Sequence, residues 1–240
     1  GICTRAALES LDYQFAVCGF LRLNLRPIAG NGEILLIAVG EFLFRYHRAG
    51  FTVVGVDIEP QPRYPFRFVQ ADALDYLVSH GKEFDVIHAS PPCQIHSRCR
   101  RIGNAKPSHR DYIAATRDLL IAVGRNYVIE NVEGAPLAWP ITLCGSMFGL
   151  PLIRHRIFES TVPMFVAGTC SCDRGERFGV YAGKVTRINS HAAPYLDSNG
   201  RTHWRPQMAP LSEGKRAMGI DWMTRGELSQ AIPPAYTEFI

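Results

Sequence analysis

The sequence has no apolar run long enough to cross a bilayer. Its longest, residues 34–44, is interrupted by Glu41, which excludes a membrane-spanning helix there. A signal-peptide pattern is missing too, because Asp12, Arg22 and Arg26 flank or break the early apolar segments. There is no internal repeat, heptad array or low-complexity tract, so solenoids and coiled coils are excluded. The phosphate-binding glycine fingerprint of dinucleotide oxidoreductases is also absent. The seven cysteines among 240 residues are irregularly spaced and build no disulfide framework, which fits a reducing cytoplasm. A net charge of +4 is too small to argue for nucleic acid by itself. Hydrophobic content of 47% and charged content of 20% are those of an ordinary soluble protein, with one large domain and a small appendage. Starting at Gly1 and stopping at Ile240 without a polar tail, the sequence is expected to be a fragment.

What is present begins with Pro91-Pro92-Cys93-Gln94, placed just after an apolar run from Phe84 to Ala89. The pattern predicts a thiol at the end of a buried strand, on a turn stiffened by two prolines. A second apolar run, Tyr127-Val-Ile129, ends in Glu130-Asn131-Val132. A nucleophile and a carboxylic acid on neighbouring strand ends can attack an electron-poor ring and protonate it. Between residues 95 and 110 stand Arg98, Arg100, Arg101, Lys106 and Arg110, with His96 and His109 and no acidic residue. Most basic runs are solvated loops; this one begins beside the candidate nucleophile and predicts an anionic substrate there.

From about residue 34 to 160, short apolar runs alternate with helix-like segments. Strands are predicted at 34–39, 52–57, 67–70, 84–89, 127–131 and 156–159, and helices at 41–49, 73–80 and 111–123, with Gly124 as a C-cap. This alternation predicts an α/β fold, a doubly wound and mostly parallel sheet, with ligands beyond the carboxyl ends of its strands. Asp57, Asp72, Cys93 and Glu130 all fall at or just past such ends. The stretch 161–206, rich in Gly, Ser, Asn and basic residues, predicts a small irregular subdomain with a strand near 178–181. Helices follow at 212–219 and 224–230, the second opened by a capping box of Thr224 and Glu227, and Pro233-Pro234 is expected to break the pattern.

In this order, Val56-Asp57-Ile58, Ala71-Asp72-Ala73, Pro91-Pro92-Cys93-Gln94, Glu130-Asn131-Val132, Arg154-His155-Arg156-Ile157-Phe158 and Ala231-Ile232-Pro233-Pro234 resemble the cytosine-5 DNA methyltransferases. The compact size resembles phage-encoded members. The resemblance implies a Rossmann-like methyltransferase fold, double-stranded DNA as partner, S-adenosylmethionine as cofactor, and a monomer. It further implies a bacterial or phage-infected cytoplasm and DNA methylation of the restriction–modification kind. It casts Cys93 as the thiolate adding to cytosine carbon 6 and Glu130 as the acid on ring nitrogen 3. Arg156 would hold the 2-oxygen, with Arg154 in support, and Asn131 would position the Cys93 loop. Asp57, Ile58, Asp72, Ala73, Pro91 and Gly40 would line the donor site. Gln94, Arg98, Arg100, Arg101 and Lys106 would touch DNA, the target base being flipped out of the duplex. It divides the chain into a divergent segment 1–44, a catalytic core 45–160, a target-recognition subdomain 161–206 and C-terminal helices 207–240. Asp72 has a plainer alternative as the N-cap of the 73–80 helix.

The sequence departs from the family where the glycine-rich turn is expected. Leu36-Ile37-Ala38-Val39-Gly40-Glu41 keeps one glycine and puts bulky and anionic side chains where close approach is wanted. Leu152 replaces a family glutamine, and Ser229-Gln230-Ala231-Ile232-Pro233 replaces Gly-Asn-Ala-x-Pro. The expectation is intact cytosine chemistry with a partly obstructed donor pocket, residues 1–44 being a shifted frame or a decayed start. An inactive DNA-binding remnant and an RNA cytosine-5 methyltransferase are the alternatives. Cys170-Ser-Cys172 with His191 or His203 is poor metal spacing, so no metal is expected. Arg174, Arg177, Lys184, Arg187, Arg201 and Arg205 are expected on phosphate or bases, and Trp139, Trp204 and Trp222 in core or hinge packing.

Overall fold

A computed structural model describes residues 32–37, 46–47, 49–97, 110–166, 168–173, 175, 177–181, 183–188, 194–196, 202–204 and 207–240. The expected helix at 41–49 lies mostly outside this set. The main sheet takes β1 (Glu33–Ile37), β2 (Thr52–Asp57), β3 (Arg67–Gln70), β4 (Val86–Ala89), β5 (Asn126–Asn131), β6 (Ile141–Leu143) and β7 (Arg156–Ser160) in the order β3-β2-β1-β4-β5-β7-β6. β3 through β5 are parallel, whereas β7 runs antiparallel to both β5 and β6. The order reverses between β1 and β4, the place where doubly wound sheets bind ligands.

Both faces of the sheet are buried, so its strands read as continuous apolar runs rather than alternating ones. Ile34, Leu36, Val53, Val86, Val128 and Phe158 face one core with Phe51, Ile232 and Tyr236. Their neighbours Leu35, Ile37, Val54, Val56, Ile87 and Ile129 face the other. Leu77 of α1 (Ala73–His80) and Leu120 of α2 (Ile113–Val123) cover that second face. Gly124 ends α2 in the left-handed region at φ 73°, as its sequence position predicts. Gly55 in β2 makes room for a ring, since a Cβ there would lie 2.3 Å from the Tyr64 side chain.

Two strands after the core, β8 (Arg177–Tyr181) and β9 (Lys184–Ile188), pair with β12 (Gln207–Met208) in a small antiparallel sheet. β10 (Pro194–Leu196) and β11 (Thr202–Trp204) form a separate pair. Phe178, Val180 and Val185 of the small sheet pack with Ala217 and Met218 of α3 (Leu211–Met218) and Leu228 of α4 (Arg225–Gln230). Leu152 is fully buried in this cluster, which explains an apolar residue at that position. Ile232 and α5 (Pro234–Phe239) return to the main sheet, and Glu227 of α4 pairs with Arg63 of the β2–β3 connection. The predicted break at Pro233-Pro234 is therefore corrected: Pro234 opens a helix, a position where a missing N–H costs nothing. The Thr224–Glu227 capping box forms as expected. Among the described residues, no helix is long and apolar enough to cross a membrane.

Candidate active site

β4 and β5 are adjacent and parallel, so the chain segments leaving their carboxyl ends meet. Cys93 stands four residues past β4, half-buried, with its carbonyl accepting from the His96 and Ser97 N–H groups in a tight turn. Asn131 closes β5, and its side-chain amide donates to the Pro91 carbonyl at 2.9 Å. Its Oδ1 accepts from the Val132 N–H at 2.9 Å. One buried amide therefore ties the thiol-bearing turn to the strand that carries Glu130.

Side chains along β7 alternate between faces. Phe158 pairs with Glu130 across the β5–β7 ladder, and Arg156, two residues from Phe158, shares its face. Arg156 Nε accordingly lies 2.8 Å from Glu130 Oε1, with both side chains about one-tenth exposed. On the opposite face, Glu159 accepts from Arg117 Nε at 2.8 Å and from the Ala138 N–H at 2.7 Å, holding α2 and the β5–β6 loop to the sheet.

The electrostatics couple thiol and carboxyl. Burial pushes the Cys93 thiol up, the Glu130 charge adds to this, and Arg156 and Arg154 act against it. Burial likewise raises the Glu130 carboxyl, opposed by Arg156, Arg154 and Ser90. Only the thiolate reacts with alkylating agents. Cys93 is therefore expected to react slowly with iodoacetamide at neutral pH, and its rate should still climb with pH beyond the ordinary thiol range. Peptide-resolved mass spectrometry checks this; a midpoint at or below the ordinary thiol value would contradict the coupling.

Arg154 is fully buried. Its guanidinium donates to the Val180 carbonyl of β8 at 2.5 Å and to the Ser229 carbonyl of α4 at 2.9 Å, and sits 5.6 Å from the Tyr181 ring centre. Its own carbonyl accepts from the Tyr236 hydroxyl at 2.5 Å. It is a positioning residue that locks the β7 approach to the small sheet and the C-terminal helices. Arg154→Leu should strand the buried Val180 carbonyl and the half-buried Ser229 carbonyl and lower stability by about 2–4 kcal/mol, read from the urea midpoint.

The expected donor-site residues are spread over three strand ends. Asp57 closes β2, where its Oδ1 accepts from the Glu59 N–H at 2.9 Å, and Ile58 beside it is 64% exposed. Asp72 is the N-cap of α1, its Oδ1 accepting from Leu74 and Asp75, so the plainer alternative holds. A carboxylate has further lone pairs, and the cap leaves capacity for a ligand. Ala73 begins α1, and Pro91 is buried beneath the Cys93 turn. Gln94 is exposed. Gly40, Arg98, Arg100, Arg101 and Lys106 lie outside the described residues, and with them the expected obstruction of the donor pocket. His96 Nε2 and Asp111 Oδ2, 3.2 Å apart, bracket the basic stretch.

Two sequence expectations are corrected. Arg187 Nη2 donates to both carboxylate oxygens of Glu213, at 2.8 and 2.7 Å, and the guanidinium lies over the Phe178 ring, so it serves the subdomain's own packing. Trp139 is 98% exposed rather than packed, because the chain passes φ 46° there while the preceding Ala138 N–H is held by Glu159. Sequence reasoning also missed Cys144 and His155, which the fold gathers beside Cys170 and Cys172. Their signal is the β6–β7 hairpin, and a three-residue β6 is too short to read.

Neither a family model nor a curated protein matches the sequence. Solved structures do. The chain is similar to the methyltransferase EhMeth of Entamoeba histolytica, with TM-score 0.54 at 12% identity, covering 87% of this chain and 96% of that one. It is similar to a mutant of DNMT2 from Spodoptera frugiperda, with TM-score 0.51 at 12% identity, covering 86% and 97%. The Dnmt2 methyltransferase of S. pombe gives TM-score 0.52 at 12% identity, covering 86% and 96%. The chain has a methyltransferase fold. At this identity the likeness speaks to the fold, and the chemistry rests on the side chains above.

Proposed function

We propose that this chain is a cytosine-5 methyltransferase of nucleic acid that uses S-adenosylmethionine, with duplex DNA as its substrate. The observation that carries the reading is a half-buried thiol raised by the charge of a buried carboxyl, the two standing at the ends of adjacent parallel strands with Arg156 against the carboxyl.

The donor-site residues fit a nucleoside. Carboxylates at the ends of β2 and β3 suit ribose hydroxyls and an exocyclic amine, and exposed Ile58 offers an apolar face to a ring. When bound, the donor would supply an electrophilic methyl group. Everything else is done by this chain. Burial and the Glu130 charge raise the Cys93 thiol, so the sulfur keeps its proton until the base is in place. That proton passes through Glu130 to ring nitrogen 3 as the Cys93 sulfur bonds to carbon 6. Carbon 5 gains electron density and takes the methyl group. Loss of the carbon 5 proton to solvent restores the ring double bond and breaks the carbon–sulfur bond, and the nitrogen 3 proton returns to the sulfur. Arg156 would hold the ring's 2-oxygen, and Asn131 keeps the sulfur's turn in place. A target atom inside a duplex is out of reach, so the base must be everted.

The test is incubation with S-adenosylmethionine and duplex DNA carrying 5-fluorocytosine, where fluorine in place of the departing proton traps the adduct. A protein–DNA adduct on the Cys93 peptide supports the proposal. Preferential trapping of fluorocytosine RNA would change the substrate, and DNA binding without adduct would leave a non-catalytic DNA-binding protein.

A further inference from the structure

Away from the cytosine chemistry, four side chains with affinity for soft metals converge. The sulfurs of Cys144, Cys170 and Cys172 and a ring nitrogen of His155 all lie within 4.8 Å of one another. His155 Nε2 is 3.2 Å from Cys170 Sγ and 3.6 Å from Cys172 Sγ. Ligand atoms bonded tetrahedrally to one zinc ion sit roughly 3.5–3.8 Å apart, so the cluster is already near the size required. We propose that Cys144, His155, Cys170 and Cys172 form a structural zinc site.

The surroundings agree with the ligand set. His155 turns its other nitrogen, Nδ1, toward Glu133 Oε2 at 3.6 Å, and a carboxylate behind a ligating imidazole fixes the tautomer that leaves Nε2 for the metal. The Ser146 hydroxyl lies 3.4 Å from Cys144 Sγ and 3.6 Å from Cys170 Sγ, and its oxygen accepts from the Ser171 N–H at 3.0 Å. That places a polar hydrogen beside sulfurs that must carry negative charge. Three thiolates and one imidazole favour zinc over the hard cations magnesium and calcium. Four protein ligands leave no open position, which makes the site structural rather than catalytic.

The sequence alone hid this set. Cys170-Ser-Cys172 seemed to need a downstream histidine, whereas its partners come from the β6–β7 hairpin upstream. The expectation of no metal gives way to this proposal. Cys144 directly follows β6, His155 stands between Arg154 and Arg156, and Cys170 and Cys172 precede β8. Bound zinc would join the hairpin that presents the site arginines to the chain leading into the small sheet.

The test uses the full chain, expressed with added zinc and purified under reducing conditions without chelator. Elemental analysis and native mass spectrometry should give one zinc per chain, and cobalt(II) in its place should show the sulfur-to-metal absorption of a tetrahedral thiolate site. Cys170→Ser, at an exposed position, should weaken zinc binding about 10-fold or more in competition with a chromogenic chelator, as should Cys172→Ser. Wild-type protein that takes up no zinc, or serine variants that hold it as tightly, would overturn the proposal. A Cys170–Cys172 disulfide that, once reduced, leaves a zinc-free protein would overturn it equally. These readouts are independent of methyl transfer.

Discussion

Cys93→Ser is expected to form no covalent adduct with 5-fluorocytosine DNA and to lose methyl transfer by on the order of 10⁴-fold or more, the scale on which removing a covalent nucleophile acts. The substitution is small-for-small at a half-buried position, so thermal unfolding should remain close to that of the parent. A serine hydroxyl shares the geometry but ionises far less readily than a thiol, and the burial and negative neighbour that already raise Cys93 would hold it back further. Gel-shift under denaturing conditions and transfer of a radiolabelled methyl group measure the two effects. Turnover comparable to the parent would remove the sulfur from the mechanism.

Glu130→Gln should move two readouts in opposite directions. Methyl transfer is expected to fall about 10²- to 10⁴-fold, because glutamine cannot relay a proton to the ring. Alkylation of Cys93 at neutral pH should become faster, because the negative charge that raises the thiol is gone while Arg156 stays. The sign is fixed by the group: lowering a thiol's pKa increases the reactive thiolate at a given pH. A variant that merely disordered the site would expose or bury the thiol without separating these effects. Equal loss of both reactivities would therefore count against the carboxyl's role.

The parallel sheet was legible because strands buried on both faces are uninterrupted apolar runs, and those around Val54, Ile87 and Ile129 are of this kind. The site was legible because its residues sit where such runs stop. Asn131 shows this well, since a lone amide after an apolar strand has few reasons to be there besides holding a neighbouring turn. Other features depend on what lies across space. β6 spans three residues and gains its identity from pairing with β7. α5 begins on a proline that reads locally as a breaker. Arg187 reads as a cation for a ligand, but the fold turns it to Glu213, and the carbonyl partners of Arg154 come from β8 and α4, far along the chain. The Cys144–His155 pairing is the extreme case, since two short β segments must form a hairpin before the side chains meet.

The alternation of β7 has a bearing on how this protein can vary. Glu159 grips the outer helix from one side of the ribbon while Arg156 meets Glu130 on the other, and the two duties are interleaved along five residues. Losing or gaining one residue between Arg156 and Glu159 would put both groups on one side, so that either the guanidinium leaves its carboxylate or the acid leaves the helix. Spelling changes at single letters of β7 should therefore be survivable more often than any change in how many letters it has.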